Sequence, residues 1–162
     1  MMDQRSVYGS MLCSIVLATL LLQTIYTPTL GDWLPRIIEL CACYWIIVSP
    51  ATFGIIFAFL VGVLVSLLEG SFLGSASIGL SLVAYVLLGN IHTIRQLDAI
   101  SQSLLIFLLI AIYLACHRLT LSLVGVSTDG LSYLLSAGVS ALVWRPFCAG
   151  LNRVRYELGR LL

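Results

Sequence analysis

Apolar residues fall along this chain in six long blocks separated by short polar or turn-forming stretches. The blocks predict helices over residues 7–26, 34–48, 52–69, 75–91, 100–124 and 131–151. Most are near the length needed to cross a hydrocarbon layer about 30 Å thick, which takes about 20 helical residues. The interruptions carry turn chemistry. Thr27-Pro28-Thr29-Leu30-Gly31-Asp32 reads as a loop, and so does Ser127-Thr128-Asp129-Gly130. Pro35 stands in the first turn of the short second block, where its missing N–H costs nothing. Ser49-Pro50 closes that block so near the third that the two predict a tight antiparallel hairpin. Gly70 to Gly74 lead into the fourth, and the polar run His92 to Asp98 separates the fourth from the fifth. The first block follows Arg5 like a secretory signal, but it is too long for one and no small-x-small site follows. It is expected to stay in the mature protein.

Composition turns this pattern into an environment. Hydrophobic residues make up 60% of the chain and charged residues 9%, with a mean hydropathy of +1.10. That is too little charge to cover a water-exposed surface, so the expected fold is one all-α integral membrane domain over 1–162 with six transmembrane helices. Six spans put both termini on one side. Arg5, Arg95, Arg145, Arg153, Arg155 and Arg160 fall on that side, against Arg36 and Arg118 on the other. The positive-inside rule therefore orients both termini to the cytoplasm. The tail arginines add a modest attraction to anionic membrane lipid. No loop is long enough for a soluble catalytic domain.

Chemistry is sparse. All eight cations are arginine, which removes Schiff-base lysines and Ser–Lys dyads. Cys13, Cys41, Cys43, Cys116 and Cys148 lie inside apolar blocks without a CxxC and read as packing residues. His92 and His117 are expected near opposite faces and cannot share a metal ion. No HExxH, phosphate loop or Ser/His/Asp set occurs, so neither enzyme, cofactor, metal nor nucleic-acid binding is expected.

Two patterns remain. Gly54, Ala58, Gly62, Ser66, Gly70 and Gly74 stand four residues apart, a ladder that lets helix backbones approach closely in lipid. It serves either internal helix packing or a groove for a partner helix. The second is a set of ionisable residues inside the predicted spans: Glu39, Glu69, His117 and Arg118. The topology gives them similar depth, so a Glu39–Arg118 pair, joined by Glu69 or His117, would offset charges that are expensive alone in hydrocarbon.

The chain also resembles the rod-shape-determining MreD family. The likeness rests on Pro35 opening the second span with Tyr44-Trp45 later in it, and on Gly62-x7-Gly70-x3-Gly74 running into Ala84-Tyr85. Trp144-Arg145-Pro146 and Arg153-Val154-Arg155 close the last span in a similar way. Two positions depart from the family's pattern: Leu34-Pro35-Arg36 replaces an Arg-Pro, and Ser66 stands where many members carry an acid, with Glu69 one turn later. The resemblance implies a non-enzymatic component of the cell-wall elongation machinery in the bacterial inner membrane. Its implied partners are MreC, the actin-like MreB, RodA and the elongation transpeptidase. It also implies a fold similar to the substrate-capture subunits of energy-coupling-factor vitamin transporters. A substrate-capture subunit for a vitamin or metal is therefore the alternative, and it would need a polar and aromatic cavity near the external side.

Overall fold

A computed structural model of the chain describes residues 9, 11–12, 14–19, 35–72, 74–123, 125 and 132–161. Of these, 86% are helical and none is in a strand. The helices are α1 (residues 14–19 of the described part), α2 (Ile37–Val48), α3 (Ile55–Leu68), α4 (Ser75–Gly89), α5 (Ile91–Gln96), α6 (Ala99–Leu123) and α7 (Ser132–Leu161). Two stretches, Ile100–Leu123 and Leu134–Glu157, are long and apolar enough to cross a membrane, while α2, α3 and α4 are shorter apolar helices. The outward faces are apolar as well: Ile56, Leu60, Leu104, Leu123 and Leu142 are each more than 60% exposed. Apolar side chains on so many outward faces belong in lipid rather than water. The chain is a membrane protein.

The shortest of these three apolar helices, α2, holds the centre. Every residue from Ile38 to Ile47 is buried, the signature of a helix that is apolar all round and surrounded by others. α3, α4 and α7 pack against it. Its two large aromatic residues each reach a different neighbour. Trp45 Nε1 donates to Ser14 Oγ on α1 at 2.8 Å, and Tyr44 Oη donates to Asn152 Oδ1 on α7 at 2.7 Å. In an apolar layer such hydrogen bonds matter doubly, because no water replaces a lost partner. The Tyr-Trp pair therefore fastens both ends of the sequence onto the central helix.

α2 stops at Ser49-Pro50, and its last carbonyls are taken by a distant side chain. Arg95, from the short helix α5, donates to Ile47 O at 2.6 and 3.0 Å and to Val48 O at 3.0 Å. A cation there satisfies orphan carbonyls and complements the helix dipole. The polar run 92–98 thus forms most of α5 rather than an open loop, since Asn90 N–H and Ile94 N–H can continue the turn. α7 likewise runs ten residues beyond the expected end of the sixth span, to Leu161. Most of the first span, with Cys13, lies outside the described residues. Cys41, Cys43, Cys116 and Cys148 are free thiols.

The small-residue ladder divides into three roles. Ala58, Gly62 and Ser66 are buried where α3 meets α4. A Cβ at Gly62 would fall on Ser77 Cα and 2.7 Å from Ser77 N, so only glycine permits this approach. Ser66 Oγ accepts the N–H of Ala76 at 3.3 Å. Gly70 and Gly74 instead build the turn between the helices, with φ of 62° and 96°. Ser71 N–H returns to Ser66 O at 3.0 Å and Gly70 N–H to Leu67 O, closing α3 by a Schellman motif. Gly54 precedes α3 with open space around it.

Candidate functional site

That Schellman turn leaves Glu69 at the end of α3, facing the start of α2. Arg36 immediately precedes α2, and Glu39 lies in its first turn. The Arg36 guanidinium makes a direct ion pair and hydrogen bond with Glu69 Oε1. It also sits 3.6 Å from Glu39 Oε1. The other oxygen of Glu69, Oε2, is 3.6 Å from His117 Nε2 on α6. One arginine therefore stands between two carboxylates, and a histidine closes the row. Both carboxylates are largely out of solvent: Glu39 is 2% exposed, and the Glu69 side chain 18%.

Tyr113 extends the cluster. It precedes His117 by one helical turn, and the two rings stack with centroids 6.0 Å apart. Gly79 on α4 makes room for it, since a Cβ there would lie 2.8 Å from the Tyr113 ring and 2.9 Å from its carbonyl. The Tyr113 phenol neighbours Glu39. Arg36 makes one more tie, through its backbone N–H, which donates to Ser140 Oγ on α7 at 3.0 Å. Ser140 in turn donates to Ser136 O at 2.7 Å. Four helices, α2, α3, α6 and α7, thus converge on Arg36 and the groups it holds.

Three buried polar atoms of the cluster fall short of good hydrogen-bond geometry: Glu39 Oε1, which lies 3.6 Å from Arg36, the neighbouring Tyr113 Oη, and His117 Nδ1. Buried polar groups in lipid-embedded proteins are expensive when unsatisfied. The arrangement can therefore fasten helices by charge while keeping some hydrogen-bonding capacity for a small polar group. Among the described residues no three His, Cys, Asp or Glu side chains come together as a metal site.

Of the residues expected from sequence, the structure brings Glu39, Glu69 and His117 to one end of the bundle. The cation it places against both carboxylates is Arg36. The sequence signal for it was present, because Arg36 and Glu39 are three apart and share a helix face. Arg118 lies on α6 beside His117 and is partly buried. Tyr113 was not singled out from the sequence, although its spacing of four from His117 puts both rings on one side of α6. His92 is exposed on α5, at the opposite end of α2. Trp144 is buried and Pro146 lies within α7, exposed.

Pro35 and the Tyr-Trp pair of the central helix, the Gly62–Ser77 contact, the Gly70 and Gly74 turn and the buried Trp144 make one linked set of motif positions. A comparison with family models matches this chain to the rod shape-determining protein MreD over residues 3–154 of the 162. The chain belongs to the MreD family. Membership gives it a role in rod-shape determination, and the match takes in α1 to α6 and α7 as far as residue 154. No curated protein and no solved structure matches the chain. Within the MreD frame, the Arg36 cluster joins the start of the central helix to the ends of α3 and α6. Pro35 immediately precedes Arg36, and its carbonyl accepts the N–H of Ile37 at 2.9 Å.

Proposed function

We propose that this chain is a non-enzymatic inner-membrane component of the cell-wall elongation complex. It binds MreC and helps couple MreB to peptidoglycan synthesis alongside RodA and the elongation transpeptidase. The observation that carries this reading is the MreD match along nearly the whole chain. The architecture agrees with a scaffold: its buried charges lie among its own helices, tying them together, and its outward faces are apolar. In this reading the chain is a single six-span transmembrane domain of the substrate-capture-subunit type. The test is affinity purification of the tagged chain after mild detergent extraction from a rod-shaped host. MreC, RodA and the transpeptidase are expected to co-purify, and depletion of the chain is expected to round the cells. Recovery of none of them, with rod shape intact on depletion, would overturn the assignment.

One observation favours the second reading, a substrate-capture subunit. Glu39, Tyr113 and His117 gather buried polar atoms with incomplete hydrogen bonding at one end of the bundle, where a captured solute could be held. An ATP-driven energising module in the same purification would support it.

The orientation proposed is N- and C-termini in the cytoplasm, from the arginine distribution. A reporter active only outside the cytoplasm should stay silent when fused after Leu162 and become active within residues 128–130. The reverse pattern would refute this orientation.

A further inference from the structure

The Trp144-Arg145-Pro146 triplet divides across the surface of α7. Trp144 is 1% exposed in the core, whereas Arg145 faces outward beside Leu142, which is 81% exposed. The apolar run of α7 continues to Leu151, so Arg145 lies about 10 Å before the first polar residue, Asn152, at 1.5 Å per residue. An arginine on the lipid side of a membrane helix is costly unless a countercharge reaches it. None of the described carboxylates forms an ion pair with it. Nor can the side chain easily leave, because the Cα–Cβ bond tilts toward the N-terminus of α7, away from the polar end.

Further along, the helix supplies the rest of a seat. Helical geometry puts Arg145, Ala149, Asn152 and Tyr156 close to one line, with the exposed Arg153 to one side and the half-buried Arg155, toward Tyr44, to the other. Tyr156 is 79% exposed, and tyrosine favours the headgroup level of a bilayer. We propose that this face of α7 binds the phosphate headgroup of an anionic phospholipid, held by Arg145 from within the hydrocarbon and by Arg153 from the interface. Charge complementarity selects this occupant. A single carboxylate on a partner helix would satisfy Arg145 but leave the exposed Arg153 unmatched, whereas a layer of anionic headgroups meets both. Guanidinium also pairs with phosphate through two parallel hydrogen bonds.

The test uses the full chain in neutral detergent, titrated with phosphatidylglycerol or phosphatidylcholine in mixed micelles and read by thermal unfolding midpoint. Phosphatidylglycerol is expected to raise the midpoint at lower concentration than phosphatidylcholine. Arg145→Gln should weaken its apparent affinity about fivefold, the value of one arginine near an anionic surface. Arg145→Lys should retain most of the response. Equal stabilisation by the two lipids, or an unchanged phosphatidylglycerol response in Arg145→Gln, overturns the seat. Should Arg145→Gln fail to fold, Arg153→Gln is titrated in the same way, and an unchanged response there also overturns it. Loss of a co-purifying protein with an intact lipid response would assign the face to a protein carboxylate and likewise defeat the proposal.

Discussion

Gly62→Leu is expected to cause the largest loss of stability of any single change in the α3–α4 hairpin. The first added carbon already falls on the Ser77 backbone, so the side chain has no rotamer that escapes contact. Overpacking typically costs about 1–3 kcal/mol when neighbouring side chains can yield. Here the neighbour is main chain in a helix, so the two helices must separate, and Ser66 would lose its bond to Ala76 N–H. We expect the upper end of that range or beyond. Even Gly62→Ala should be harmful. Gly54→Ala is the control from the same ladder, with open space around it, and should change little. Gly70→Ala should cost about 1–2 kcal/mol for a different reason, the left-handed φ of 62°. Thermal unfolding in detergent and abundance in the membrane would check all four. Equal effects at Gly54 and Gly62 would show that spacing, not the Ser77 contact, explains the ladder.

The contrast marks how far a sequence reading reaches. Spacing four apart identified the small residues as one stripe, and on a single straight helix they would be one. The stripe, however, runs off the end of α3. The positive φ values at Gly70 and Gly74 convert its last two members into turn residues, and sequence cannot distinguish a glycine kept for space from one kept for φ. The helix bounds show the same limit. Apolar blocks located α2, α3, α4 and α6 within a few residues. The α5 segment and the last ten residues of α7 were hidden because polar helices at a membrane rim have no apolar period to reveal them.

The charged cluster was legible in part. Intramembrane ionisable residues stand out by rarity, so Glu39, Glu69 and His117 were found and placed at a similar depth. Which cation meets them depends on the direction of the chain at Pro35 and on the turn after α3. Arg36 could be taken for an interfacial residue at the mouth of the second span. Only the folded hairpin carries Glu69 back over it. Tyr113 carries no charge and looks like any core aromatic, so nothing drew notice to it except its spacing from His117.

Arg36 therefore carries the second strong prediction. Arg36→Ala should destabilise the protein by about 3 kcal/mol, at the lower end of the range for breaking a buried pair, because a quarter of its side chain is exposed. The loss arises from what remains. Glu39 and Glu69 are left as two like charges in a poorly solvated site, with His117 close to Glu69. Glu69→Gln should cost less, since Arg36 keeps Glu39 at 3.6 Å and a neutral amide still accepts a hydrogen bond. The informative quantity is the double variant, Arg36→Ala with Glu69→Gln. If the pair holds α2 to α3, removing both partners costs clearly less than the sum of the single losses, because the second change relieves the charge stranded by the first. The backbone bond from Arg36 to Ser140 Oγ persists in every variant, so it cancels from the cycle. The measurement is thermal unfolding of the four proteins in one detergent at one pH. Additive losses would mean that Arg36 and Glu69 are each solvated independently at the membrane surface, and the charge clasp between α2 and α3 would have to be abandoned.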